Sequence, residues 1–316
     1  MKYKVFIDGQ EGTTGLEIHE RLSKRNDIEL LQIEPEKRKD REARRALLNE
    51  SDISILCLPD DAAKESVSLV TNPGTKIIDA STAHRTSPGW VYGFPELDKG
   101  QREIIKKALR VCVPGCHAIG FVSIVYPLIK YGIISKDYTV FCHSITGYSG
   151  GGKKLIAQYE NPLVKKEKLN CPRMYALQLR HKHLPEMQKW AGLNYPPFFT
   201  PILGNFYRGM AVSVPLFTRN LLKNINIEDL YQVFRKHYDG ERFVRVMLPG
   251  DKSIPEDGFF DPTDCNNTNR MDIFIYGNAE HILVVSRLDN LGKGASGTAV
   301  QLMNIMLGIE EETGLV

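Results

Sequence analysis

The chain has 316 residues, 42% hydrophobic and 25% charged, a globular composition with length enough for two domains. A net charge of +3 is too small to argue for a nucleic-acid or membrane surface, and no apolar run reaches the roughly 18 residues that span a bilayer. Six scattered cysteines make no disulfide framework, and the opening MKYKVFIDGQ lacks a signal peptide's apolar region, so a cytoplasmic protein is expected.

Lys4 to Asp8 reads as a short buried strand that runs into GQEGTTG, after which Ile18 and Leu22 keep helical spacing. Strand, glycine turn and helix make the arrangement that cradles a pyrophosphate, with Gly9, Gly12 and Gly15 admitting it and the helix start at Thr13 and Thr14 supplying N–H donors. The spacing is G-x-x-G-x-x-G, one residue off the usual dinucleotide fingerprint. A second strand, Ile28 to Ile33, ends at Glu34, where an acid would meet a ribose hydroxyl. Lys37 and Arg38 follow at once and favour a 2′-phosphate, hence NADP(H) over NAD.

Strands at Ser54 to Leu58 and Lys76 to Asp79, separated by a helix over Ala62 to Val70, point to a parallel, doubly wound sheet. STAHR then forms a polar turn at a strand's carboxyl end, where Arg85 offers a planar fork for a carboxylate or phosphate.

Val111 to Val113 is stopped by Pro114-Gly115, and Cys116 opens a helical pattern through Phe121, Ile124, Val125 and Leu128. Cys116 thus sits at a helix start, a place for a reactive thiolate, whereas Cys57, Cys112 and Cys142 lie in or near apolar runs and read as core. A kink is expected at Pro127. The helix dipole offers a thiolate about 0.3–1 kcal/mol, under one pKa unit, so Cys116 needs a basic partner. His117 is adjacent, but its ring is expected to point away from the sulfur. His181 and His183 are the natural candidates, and their i, i+2 spacing would share a face in a strand. A zinc site would need further ligands, with Cys171 and Glu186 the near ones, so no metal is expected.

Tyr138 to Ile145 reads as a strand leading to GYSGGGKK, which nearly matches a phosphate loop, but Lys154 replaces the magnesium-binding hydroxyl. Beyond a Pro- and aromatic-rich connector, strands around Gly209 to Phe217, Ile273 to Ile275 and His281 to Ser286, with one helix over Ile227 to Tyr238, give an α+β domain with a mixed or antiparallel sheet. GKGASG at 292–297 opens a final apolar helix. A dinucleotide fold, a cysteine at a helix start and a distant histidine suit thiolate attack on an activated acyl group, with hydride exchange at the thioester.

These segments resemble the shorter variety of the N-acetyl-γ-glutamyl-phosphate reductases of arginine biosynthesis. The likeness runs through GQEGTTG, STAHR, YGFPEL, VPGCHA, SITGYSGGGKK, RHKHLPE, FYRGM and SRLDNLGKGASGTAVQLMN. It implies an NADP-dependent oxidoreductase that turns an acyl phosphate into a semialdehyde and phosphate, with Cys116 as nucleophile and His181 as acid–base residue. By the same resemblance, Arg85, Ser149, Gly150, His183 and Arg208 are substrate contacts, and Asn290, Gly294 and Ser296 are cofactor-side contacts. It further implies a Rossmann-type NADP-binding domain, 1–116 with 291–316 returning to it, and a catalytic and oligomerisation domain, 117–290. A homo-oligomer (dimer or tetramer) acting on a small molecule, with no nucleic acid and no membrane, is the matching expectation. His117-Ala118 stands where the longer members carry an aromatic-Pro pair. The alternatives are a sibling reductase acting on aspartyl phosphate or carrier-bound aminoadipyl phosphate, a non-catalytic NADP-binding sensor, and a zinc hydrolase using both histidines.

Overall fold

The structure, a computed structural model, describes residues 2–163 and 167–316. The chain divides into two compact units: Met1–Pro95, Lys99–Gly115 and Ala295–Val316 form unit 1, and Glu96–Asp98 with Cys116–Gly294 form unit 2.

Unit 1 alternates strand and helix: β1 (Tyr3–Asp8), α1 (Thr13–Ser23), β2 (Ile28–Leu31), α2 (Arg41–Glu50), β3 (Ile53–Leu56), α3 (Asp60–Leu69), β4 (Lys76–Asp79), β5 (Val91–Tyr92), α4 (Gln101–Lys107) and β6 (Arg110–Cys112). The strands form one six-stranded parallel sheet in the order β2-β1-β3-β4-β6-β5. Short runs such as Ile53–Leu56 are buried throughout, as a sheet covered on both faces demands. Asp40 caps α2 by accepting from the Ala43 amide at 2.7 Å, which starts the helix two residues after the basic pair. β2 ends at Leu31, two residues earlier than Ile33.

Unit 2 opens with α5 (Cys116–Lys130), followed by β7 (Phe141–Gly147), α6 (Gly152–Glu160), β8 (Arg173–Met174), α7 (Leu184–Ala191), β9 (Phe198–Gly204), β10 (Met210–Phe217), α8 (Ile227–His237), β11 (Val244–Val246), β12 (Met271–Gly277) and β13 (His281–Leu288). Its seven strands form a mixed sheet ordered β11-β12-β13-β10-β7-β9-β8. α5 is apolar nearly all round and packs on β10 and β13. Gly120 permits that approach: a side chain there would meet Val212 at 2.7 Å. Pro127 lies inside α5, which runs on to Lys130. The chain closes with α9 (Gly297–Leu307), which belongs to unit 1 and packs on α1, α4 and β4.

Local detail is settled at three places. Tyr138 precedes β7, which starts only at Phe141, a correction to the expected strand start. His181 and His183 lie in the turn before α7, whose start is set by Pro185 in its first turn. The 292–296 stretch is a single π-helical turn ahead of α9.

Candidate active site

Cys116 is the first residue of α5 and is partly exposed, unlike the fully buried Cys112 and Cys142. The Cys57 sulfur is also unsuited to attack, because burial first, and Asp79 and Asp8 after it, push it up to about 12. Backbone, not a side chain, walls Cys116 on one side: a Cβ on Gly294 would stand 2.8 Å from the Cys116 Cβ. Gly294 is fixed there by its amide donating to Asp289 O at 2.9 Å. Its neighbour Lys293 is fully enclosed and paired with the equally enclosed Glu96 at 2.7 Å.

Around the start of α5 lies a cluster of rings drawn from distant segments. The His117 ring is 5.6 Å from that of His181 and 5.6 Å from that of His183, and Phe199 lies 5.2 Å from His117 and 5.2 Å from His181. Tyr175 completes it, 5.9 Å from His181. Burial, and then the charge of Cys116, push the Tyr175 phenol above its ordinary value. The turn carrying Tyr175 and His181 is strained, with Ala176 at φ 53° and Leu179 at φ 56°, both left-handed without being glycine. His181 Nδ1 accepts from the His183 amide at 3.1 Å, so a neutral His181 carries its proton on Nε2. The His181 and His183 rings lie 4.7 Å apart.

The glycine-rich turn after β7 is held by side chains beneath it. Asn290, buried, donates to Ser149 Oγ at 3.0 Å and accepts from the Gly209 amide at 2.9 Å. Thus Asn290 sits with the substrate-side candidates Ser149 and Gly150. Arg208 pairs with buried Asp289 at 3.2 Å and donates to Asn267 at 2.9 Å. Arg85 belongs to unit 1, where its guanidinium donates to Val113 O at 3.0 Å and Ala80 O at 3.2 Å, so part of its fork is engaged by backbone.

In unit 1 the loop after β1 is shaped by two unavoidable glycines. Gly9 has φ 90°, and a Cβ there would stand 2.5 Å from Cys57 O; a Cβ on Gly15 would stand 2.5 Å from Gly9 O. Gly12 caps α1 without any side-chain bond, leaving first-turn amides at Thr13 and Thr14 uncapped. The Thr13 hydroxyl oxygen is buried with no hydrogen-bond partner. An orphaned donor at a bare helix start fits a phosphate. Arg38 reaches back to Glu11 of this loop at 3.0 Å, while Lys37 pairs with Glu34 at 2.8 Å. Ser296 donates to Glu17 of α1 at 2.9 Å. Behind the loop, Asp8 accepts from Ser66 at 2.7 Å and pairs with Arg44 at 3.1 Å, a buried brace with no motif to announce it.

Sequence reading missed His117, Ser144 and Tyr175 as site residues. The one available signal was the position of His117 beside Cys116; Ser144 is brought in only by sheet register, and Tyr175 by the strained turn after β8. Among the described residues no group of three or more His, Cys, Asp or Glu could hold a metal ion.

Residues 4–108 match the family model of the semialdehyde dehydrogenase NAD binding domain, and residues 116–290 that of the semialdehyde dehydrogenase dimerisation domain. The chain is 49% identical to N-acetyl-gamma-glutamyl-phosphate reductase 2 of Nostoc sp., over 99% of both chains. It is 44% identical to the reductase of the same name from Pseudomonas putida, over 98% of both. Among solved structures, aspartate semialdehyde dehydrogenase II of Vibrio cholerae, complexed with ASA, matches with TM-score 0.72 at 14% identity, covering 98% of this chain and 99% of that one. The Candida albicans aspartate semialdehyde dehydrogenase with NADP matches with TM-score 0.68 at 14% identity, over 97% and 99%. At such identities these two show the fold alone.

Proposed function

The chain belongs to the semialdehyde dehydrogenase family, and from that premise we propose that it reduces N-acetyl-γ-glutamyl phosphate to N-acetylglutamate semialdehyde and phosphate with NADPH. The observation that carries the reading is the gathering of Tyr175, His181 and His183 in the unit whose first helix starts with Cys116.

In this reading the Cys116 thiolate attacks the acyl carbon. The C–S bond forms as the bond to the phosphate oxygen breaks, and phosphate leaves with the electron pair and ends with one proton. NADPH, when bound, supplies the hydride that takes the thioester to the aldehyde level. The sulfur then departs as thiolate, ready for the next turnover. His181 gives acid–base assistance, with its ring oriented by the His183 amide at Nδ1. Ser149, Gly150, His183, Arg208 and Arg85 bind the substrate. The loop Gly9–Gly15 with Thr13 and Thr14 holds the pyrophosphate of NADP(H), Lys37 and Arg38 take its 2′-phosphate, Gly294 and Ser296 shape the cofactor side, and Asn290 braces Ser149 on the substrate side. Unit 1 is thus the cofactor domain, and unit 2 the catalytic and assembly domain.

A homo-oligomer formed through unit 2 fits the dimerisation-domain match and the exposed Phe141, Phe198 and Leu283 on its sheet. A cytoplasmic location goes with the reaction; no helix among the described residues is long and apolar enough to cross a membrane.

The test is phosphate-dependent reduction of NADP by N-acetylglutamate semialdehyde. Turnover that vanishes in Cys116→Ser supports the reading; none in folded, reduced parent protein overturns it. Aspartate semialdehyde in the same assay separates the sibling activity.

A further inference from the structure

His117 takes no part in the chemistry above, although it adjoins the nucleophile and is almost fully enclosed. Each of its ring nitrogens is 2.8 Å from a hydroxyl, Ser144 Oγ at Nδ1 and Tyr175 Oη at Nε2. Burial first, then His181 and Lys182, push its pKa down to about 3, so at working pH the ring is neutral. A neutral imidazole donates at one nitrogen and accepts at the other. Two proton orders are therefore open. In one, Tyr175 donates to His117 and has only lone pairs left to offer. In the other, Ser144 O–H donates to Nδ1, Nε2–H donates to Tyr175, and the Tyr175 O–H is released to a third partner.

The groups facing this ring are His181, Lys182 and His183 from the turn before α7, Tyr175 from the turn after β8, and Ser144 of β7; Phe199 of β9 closes the remaining side. All approach from within unit 2. Tyr175 Oη rests on Nε2 of the residue next to Cys116, which brings the phenol to the end of α5 where the sulfur stands, and burial keeps its proton in place. An anionic sulfur accepts and cannot donate, so it selects the second order.

We propose that His117 is a positioning residue, a neutral bridge from Ser144 that turns the Tyr175 O–H toward the Cys116 thiolate. The inference rests on Cys116 being the nucleophile. It gives the thiolate a donor that does not compete for its proton. His181 supplies acid–base chemistry, whereas the Ser144–His117–Tyr175 line supplies fixed hydrogen bonding to the anion, which lowers a thiol's pKa.

The experiment is the pH dependence of Cys116 alkylation by iodoacetamide, read by peptide mapping in a Cys171→Ser background that removes the exposed competing thiol. In Tyr175→Phe and His117→Leu the midpoint should rise by about one unit, slowing alkylation at neutral pH about tenfold. His117→Gln, which keeps a donor toward Tyr175, should restore most of it. Midpoints unchanged in the folded Tyr175→Phe and His117→Leu proteins overturn the inference. A parent protein in which Cys116 shows no selective alkylation overturns instead the nucleophile reading on which it stands.

Discussion

The glycine loop of unit 1 and the ring cluster of unit 2 are built by different means. The loop is one run, Gly9 to Gly15, offering backbone amides and a single orphaned hydroxyl. The cluster draws Cys116 and His117 from α5, Ser144 from β7, Tyr175 and His181 from a strained turn and Phe199 from β9. A backbone site tolerates side-chain change wherever geometry allows it. A side-chain site fails when one atom is removed.

The sharpest break of that contrast is Cys116→Ser. Turnover should fall roughly 10³-fold or more, because a serine hydroxyl has no comparable anionic form at neutral pH, while NADP affinity stays at the parent value. Single-turnover kinetics with fluorescence titration of cofactor would show both. Gly294→Ala comes next, since its methyl must displace Cys116 or the backbone at Asp289. A shift of that size costs about 10²-fold in kcat and about 1–3 kcal/mol of stability, measurable by steady-state assay and urea unfolding.

Gly12→Ala probes the backbone site. Its Cβ would meet Gly9 O at 3.5 Å, an ordinary contact, so the fold should hold. Crowding one first-turn amide should raise the Kd for NADP about tenfold, the worth of one hydrogen bond to a charged group, and leave kcat near the parent value. A loss of kcat instead would erase the distinction between the two sites.

A last effect is on stability alone. His117 has a folded pKa near 3 against 6.5 when exposed. The unfolded chain therefore binds the extra proton between those values, and stability is full above 6.5 and lost as pH falls toward 3. From pH 7 to 5 the loss is about 2 kcal/mol from this group, and His117→Gln should show that much less acid sensitivity in urea midpoints.

The same contrast explains what could be read from the amino acids. Gly9, Thr13 and Gly15 were legible because a strand, a turn and a helix start are local patterns with local causes. The parallel order of the first sheet followed from alternating elements. Cys116 was legible as a helix-start thiol, and its need for a partner followed from the weakness of a dipole. Tyr175 and Ser144 were not, because Ser144 reaches His117 only through the register of β7, and Tyr175 through a turn with two left-handed non-glycine residues. The brace of Asp8 by Arg44 and Ser66 was hidden for a similar reason: its partners lie 36 and 58 positions away. At RHKHLPE the period-two spacing of the histidines left the local structure open, and Pro185 in the first helical turn sets a turn and a helix start there.

Unit 1 is threaded through both ends of the chain. Tyr3 donates to Leu307 O at 3.1 Å, Arg25 donates to Asn304 at 2.7 Å, and Lys76 donates to Met306 O. All six of its strands have been made once Cys112 is added, but α9 waits until residues 116–294 have been translated. At bacterial or eukaryotic elongation rates that delay is roughly 10–40 s. During it the β4 side that α9 covers is bare apolar sheet, and unit 2 itself stays open until β13, which joins β12 to β10 in its sheet, is added. Ribosome-stalled chains ending near residue 290 should accordingly be cut by protease within the first hundred residues, and released full-length chains spared there, so that the part made first is the part finished last.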